Sequence, residues 1–164
     1  MKFKIATLVF IKNQQGEHLL IQRVKAPNLG KWSPIGGKLM TELGESPFEC
    51  AIRETMEETG HELEEKDLHL YGYISEKDYE GSGHWLMFMF DCLKPIEALP
   101  PTGNEGAFGF FSRDQIEEIE VPPSDRTLVW PFYDTHKTGF AALRAECDPT
   151  KALKLVVEET FGSS

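Results

Sequence analysis

The sequence predicts an α/β fold, and three observations carry that prediction. Runs of β-branched and aromatic residues recur along the whole chain, one strongly capped helix sits between Ser46 and Gly60, and a hydrophobic content of 40% is enough to fill a core. With 164 residues the chain has the size of one ordinary domain, so a single domain over residues 1–164 is expected. Aromatic residues make up 11% and charged residues are dispersed through the sequence, which excludes a disordered chain.

In chain order, Phe3 to Ile11 is rich in β-branched and aromatic residues and is predicted to be a strand. Asn13-Gln14-Gln15-Gly16 supplies turn chemistry before a second apolar run, His18 to Val24, so the two runs are expected to pair as a hairpin. Ala26 to Glu45 contains Pro27, Gly30, Pro34, Gly36, Gly37 and Gly44 and reads as a long functional loop. Ser46-Pro47-Phe48-Glu49 then announces a helix, with Ser46 as N-cap, Pro47 at the first helical position, and Glu49 closing a capping box. Gly60 ends it as a left-handed C-cap. At roughly 100° per residue, Phe48, Ile52, Thr55, Met56 and Thr59 share one side, and Glu54, Glu57 and Glu58 share the other.

Farther on, Leu68 to Ser75 and His84 to Leu93 are predicted strands around the turn-like Glu80-Gly81-Ser82-Gly83. Phe108 to Phe111 reads as a short strand and Arg113 to Ile119 as a short helix. Asp125 to Lys137 reads as a longer helix kinked or split at Pro131. Phe140 to Cys147 and Ala152 to Val157 flank Asp148-Pro149-Thr150 as a C-terminal hairpin, although Ala, Leu and Lys in the second run also suit a helix.

The charge balance excludes some partners. Twenty-seven acidic against 17 basic residues give a net charge of −10, which repels polyanions and argues against a nucleic-acid polymer. A small anionic substrate stays accessible if a metal ion masks the local charge. Cys50, Cys92 and Cys147 are odd in number and widely spaced, so neither a disulfide framework nor a zinc knuckle is indicated, and a reducing cytoplasm fits best. No run reaches the roughly 20 apolar residues of a membrane span, so no membrane partner is expected.

Chemistry concentrates on the capped helix. Glu54 with Glu57, and Glu54 with Glu58, stand at the i, i+3 and i, i+4 spacings that make helix residues surface neighbours. Like charges that close repel by about 3 kcal/mol per pair at an effective dielectric near 20. A hard divalent cation such as Mg²⁺, which takes carboxylate, carbonyl and phosphate oxygens, relieves the repulsion. The competing reading is a solvated acidic face on which Glu49 and Arg53 pair at i, i+4.

These residues resemble the signature of the Nudix hydrolases, G-x5-E-x7-R-E-U-x-E-E-x-G-U with U aliphatic. Glu45 is followed at the matching interval by Arg53-Glu54-Thr55-Met56-Glu57-Glu58-Thr59-Gly60-His61. Leu19-Leu20-Ile21-Gln22-Arg23 and Lys31-Trp32-Ser33-Pro34-Ile35-Gly36-Gly37-Lys38 are similar to the strand and loop that lead into that signature, so the resemblance covers residues 3 to 61 well. Three departures stand out. Seven residues separate Gly37 from Glu45 where the pattern has five, so Leu39 to Leu43 is expected to bulge, and Thr55 and His61 replace aliphatic residues.

The resemblance implies an α/β/α sandwich with a mixed sheet and hydrolysis of a phosphoanhydride bond. It implies Glu54, Glu57, Glu58 and the Gly37 carbonyl as ligands of Mg²⁺, or of Mn²⁺ in its place. Glu54 is the implied general base, with Glu105 in the loop Gly103-Asn104-Glu105-Gly106 as a candidate from outside the motif; an ordinary turn carboxylate is the competing reading for Glu105. Arg53 would orient the glutamates or pair with Glu45. Arg23 and Lys38 are candidate phosphate contacts, as is Lys25, and Trp32 is a candidate base-stacking ring; a core position suits Trp85 better. The loop Asn28 to Trp32 resembles that of MutT-like members that cleanse oxidised nucleoside triphosphates, which makes such a triphosphate the first substrate guess. Nucleotide sugars, ADP-ribose and dinucleoside polyphosphates stay open as substrates, and so do a non-catalytic nucleotide sensor and, more remotely, an isoprenoid diphosphate isomerase. The oligomeric state is open too, a homodimer included.

Overall fold

The computed structural model describes residues 3–26, 28–79 and 83–162. Its strands are β1 (Phe3–Phe10), β2 (His18–Arg23), β3 (Trp32–Ser33), β4 (Ile35–Lys38), β5 (Leu68–Lys77), β6 (His84–Cys92), β7 (Gly106–Phe111), β8 (Phe140–Glu146) and β9 (Lys154–Phe161). Its α-helices are α1 (Pro47–Thr59), α2 (Arg113–Ile116) and α3 (Trp130–His136). Six strands form one mixed sheet in the order β4-β1-β6-β5-β8-β9, and β3-β2-β7 form a second, antiparallel sheet. Within the large sheet β1 runs parallel to β6 and β5 parallel to β8, while the other pairings are antiparallel.

Alternation along β1 sends successive side chains to opposite faces, and the two faces nucleate two cores. Val9 and Ile11 join Ala51 of α1 with Leu19, Ile21 and Phe90. Phe10 joins Trp130 and Tyr133 of α3 with Tyr71 and Met89. Helices therefore cover both faces of a mixed sheet, which is the α/β/α sandwich. In the second core Phe10 stacks on Tyr133 at a centroid distance of 4.6 Å and meets Trp130 edge-on at 5.1 Å, and the Tyr133 hydroxyl donates to buried Asp91 at 2.7 Å.

The expected hairpin between the first two strands exists only at its turn. Leu19 N–H donates to the Ile11 carbonyl, and Lys12 bridges His18. Beyond that point β1 pairs with β4 and β6, and β2 pairs with β3 and β7, in separate sheets. Both strands carry apolar side chains on both faces, so each finds more burial as a central strand of its own sheet than as one arm of a ribbon.

The breaker-rich segment from Ala26 to Glu45 is not one loop: β3, β4 and a 3₁₀ turn at Thr41–Leu43 lie within it. That turn lies in the Leu39 to Leu43 segment expected to bulge. It closes on Gly44 in the left-handed region (φ 67°), with Glu45 accepting from the Met40 N–H at 2.9 Å. Of the turn predicted between the fifth and sixth strands, Glu80 to Ser82 lie outside the described residues, whereas the strands on either side pair antiparallel as expected. The segment from Asp125 to Lys137 is split near Pro131: Asp125–Val129 is a π-helical turn in which the Trp130 N–H reaches back to the Asp125 carbonyl, and α3 follows with Pro131 in its first turn. The C-terminal hairpin forms as β8 and β9.

Candidate active site

α1 is built as its sequence dictates. Ser46 accepts from the Glu49 N–H at 3.1 Å, Glu49 accepts from the Ser46 N–H at 2.9 Å, and Gly60 takes φ 75° at the C-cap. Because Glu49 is engaged in the cap, it does not pair with Arg53.

The packing face of α1 differs from the expected one. Cys50, Ala51 and Thr55 are buried and Met56 is 50% exposed. Glu54 and Glu58 flank this buried stripe, while Glu57 stays at the rim with 56% of its side chain exposed. The apolar character of Met56 suits a core position that the structure does not give it. The neighbours that decide the matter are β1 and β4, which contact the helix along the stripe of small side chains.

Arg53 organises the cluster. Its Nε and Nη2 donate to the two oxygens of Glu45 at 2.6 and 2.8 Å, Nη1 donates to Glu54 at 2.9 Å and Glu57 at 3.2 Å, and Nη2 also reaches the Lys38 carbonyl at 3.2 Å. Such a bidentate fork is specific to guanidinium. It holds the Glu45 carboxyl down at about 2, the hydrogen bonds from Arg53 being the main cause, and raises the Arg53 pKa in turn.

Glu58 is the opposite case. Burial first, then the charges of Glu54, Glu105 and Glu57, push its carboxyl up to about 8, partly offset by the Gly36 N–H that donates to it. Its Oε2 is shut off from solvent and has no hydrogen-bond partner among the described residues. Glu54 is also raised, by burial and then by Glu57 and Glu105, against the pull of Arg53.

Gly37 lies against this pair. A Cβ there would collide with the Glu54 carboxylate, so the absence of a side chain lets β4 and α1 approach. The Gly37 carbonyl accepts a weak bond from the Cys50 thiol at 3.6 Å.

These residues border a cleft of about 950 Å³. Lys4, Ala6 and Leu8 of β1, Trp85 and Met87 of β6, and Glu76 of β5 line it together with Gly37, Glu54, Glu57, Glu58, Arg23, Lys38 and Glu105. The structure thus gathers the sequence-singled site residues, Arg53 included, except Lys25 and Trp32. That ring meets Phe111 edge-on at 4.8 Å and packs against the second core. Trp85 takes the cleft position instead, with the Lys4 and Lys38 ammonium groups 5.1 and 5.7 Å from its ring centroid.

Among the described residues, no group of three or more His, Cys, Asp and Glu side chains is arranged to hold a metal ion. The donor set nevertheless suits a hard divalent cation: oxygens only, mutually repelling carboxylates, and a buried carboxylate oxygen that no described residue satisfies.

Sequence reasoning missed Glu76 and Asp125, buried acids at the other end of the cleft. A signal existed for Glu76, which continues the inward register of Gly72 and Ile74 along β5. None existed for Asp125, which follows two prolines at a helix start.

Residues 2–131 match the family model for the NUDIX domain. Solved structures agree in fold. A MutT protein from Bacillus halodurans superposes with a TM-score of 0.73 at 23% identity, over 94% of this chain and 97% of that one. A MutT protein from Methanosarcina mazei Go1 gives 0.64 at 26% identity over 80% and 90%. The NUDIX domain of Shewanella oneidensis NrtR, crystallised with ADP ribose, gives 0.62 at 16% identity over 77% and 82%. With the capped glutamate helix lying where the cleft opens and the family model spanning most of the sequence, this chain belongs to the NUDIX domain family and is a Nudix hydrolase.

Proposed function

We propose that this protein is a Mg²⁺-dependent pyrophosphohydrolase that cleaves a phosphoanhydride bond in a nucleoside diphosphate derivative, with a nucleoside triphosphate, oxidised or not, as its first candidate substrate. The observation that carries this reading is Glu58, a buried carboxyl raised to about 8 with one oxygen unpartnered among the described residues, set beside Glu54 in a cleft of nucleotide size. Burying an acid without a partner is costly, and a bound cation supplies the missing partner.

Glu54, Glu57, Glu58 and the Gly37 carbonyl would hold Mg²⁺, or Mn²⁺ in its place. When bound, the metal supplies a Lewis acid for the phosphate oxygens and a water of lowered pKa. Arg53 keeps Glu54 and Glu57 oriented and ties them through Glu45 to the turn that follows β4. Glu54 or Glu105 accepts the proton of the attacking water; the influence of Glu105 on both Glu54 and Glu58 supports its closeness to the reacting centre. Arg23 and Lys38 line the same cleft as candidate phosphate contacts.

Purified protein tested against a panel of nucleoside triphosphates, nucleotide sugars, ADP-ribose and dinucleoside polyphosphates, with and without Mg²⁺, identifies the substrate by its products. Glu57→Gln and Glu58→Gln are expected to cut turnover by about 100-fold or more with circular dichroism unchanged. Equal turnover by wild type and both variants would remove the proposal. Tight binding of one compound with no turnover in any condition would make the protein a nucleotide sensor.

A further inference from the structure

β9 is the last strand in the order β4-β1-β6-β5-β8-β9 and, among the described residues, pairs on one side only, with β8. Its outer side presents backbone N–H and C=O groups that are a template for another strand. Proteins that stay monomeric blunt such an edge with charge or with a bulge. β9 has both, Lys154 and a slip of register at Glu158, which opposes no residue of β8. The two bracket a regular segment, residues 154–158, whose ends carry opposite charges.

Register decides which way these side chains face. Lys154 opposes Glu146 and Val156 opposes Arg144, so Lys154 and Val156 share one face of the sheet. Glu158 joins them there, its carboxylate accepting from Arg144 at 2.9 Å and from the Tyr73 hydroxyl at 3.2 Å. Leu155 and Val157 oppose Ala145 and Leu143 on the other face, where Leu155 packs against the core and Val157 stays 46% exposed. Lys154 is exposed and enters no ion pair with any described residue.

We propose that β9 is a self-association surface, along which two copies of this chain pair antiparallel about a two-fold axis at Val156 and join their large sheets into one. A two-fold axis normal to the sheet preserves its faces, so each residue can oppose only itself or one an even number of positions away. Centring on Lys154 or Glu158 sets like charges face to face, and centring on Leu155 or Val157 sets one of those charges opposite Val156. The axis at Val156 instead pairs Lys154 with Glu158 of the second copy, and by symmetry Glu158 with Lys154. It also lays Leu155 against the exposed Val157 of the second copy, again twice. Opposite charges directly across an antiparallel pair stabilise it, and like charges oppose it. A segment this short makes an interface at the small end of the range, under roughly 1,200 Å², so copies exchange partners readily. The paired segment contains no residue of the cleft, so the proposal stands apart from the hydrolytic reading.

Sedimentation equilibrium of the full chain over a range of protein concentrations tests this, with melts followed by circular dichroism to check folding. Wild type is expected to show a monomer–dimer equilibrium that added salt weakens. Lys154→Glu and Glu158→Lys each turn two attractive pairs into two repulsive ones, and each is expected to weaken dimerisation about ten-fold or more. Each variant carries the complement of the other, so an equimolar mixture is expected to recover wild-type affinity in mixed pairs. Should Glu158→Lys, which gives up Arg144 and Tyr73, fail to fold, Lys154→Glu and Val156→Lys decide, the latter setting two lysines face to face at the axis; undiminished dimerisation in either would overturn the proposal. So would a wild type that stays monomeric at every concentration, or a mixture of the folded charge variants that does not recover.

Discussion

Gly36 and Gly37 show how adjacent residues of one type serve different ends. A Cβ at Gly36 would strike the backbone carbonyl of Thr7 in the neighbouring strand, whereas a Cβ at Gly37 would strike only the end of the Glu54 side chain. Gly36→Ala is therefore expected to destabilise the fold by about 1–3 kcal/mol through a damaged β1–β4 pairing. Gly37→Ala is expected to melt close to wild type while losing most of its turnover, because Glu54 must swing aside. Thermal melts and initial rates on both variants separate the two effects, and equal losses of stability would contradict the assignment. The pair was visible in the sequence as glycines of a motif. Which one guards the strand and which one guards the carboxylate depends on two neighbours, Thr7 and Glu54, that are remote in sequence.

At the level of elements, α1 was legible almost to the residue, because its start and stop signals are local: Ser46, Pro47, Glu49 and Gly60 act within one turn of where they stand. Ser46→Ala is expected to cost about 1 kcal/mol, or roughly 2–4 °C in melting temperature for a chain of this size. Thermal unfolding monitored by circular dichroism checks it, and an unchanged melting temperature would mean that the cap is redundant with the contacts of the helix to β1 and β4. The face that α1 buries was not legible in the same way. Helical periodicity gives the angles but not the partner, and a partner that admits Cys50, Ala51 and Thr55 leaves Met56 in solvent. The same limit applies to β1 and β2, whose turn is local and whose sheet partners are not.

For the molecule as a whole, burial of acids sets the pH response. Glu58 and Asp125 are each raised to about 8 in the folded chain. Between their ordinary values near 4 and about 8, the folded state holds protons that the unfolded state has released, so stability falls as pH rises through that window. Glu45, held at about 2, works in the other direction: its contribution is present above the ordinary carboxylate range and is lost as pH falls through 2. The metal-free protein is expected to melt highest near pH 5 and to lose several °C by pH 8. Glu58→Gln should flatten that decline, and Mg²⁺ should raise the melting temperature most at the alkaline end. Melting temperatures measured in chelator from pH 4 to pH 9 decide the matter, and a curve that rises toward pH 8 would exclude these buried acids as its source.

The sequence by itself determined the family, the capped glutamate helix and most of the strands, because each is written in short-range spacing and local backbone preference. Only the tertiary structure decided that Glu58 is buried while Glu57 is not, that Arg53 clasps Glu45, that Trp85 and not Trp32 faces the cleft, and that Glu76 and Asp125 close its far end. Those outcomes depend on which surfaces meet across the sheet, and burial and electrostatic environment are properties of the meeting surfaces.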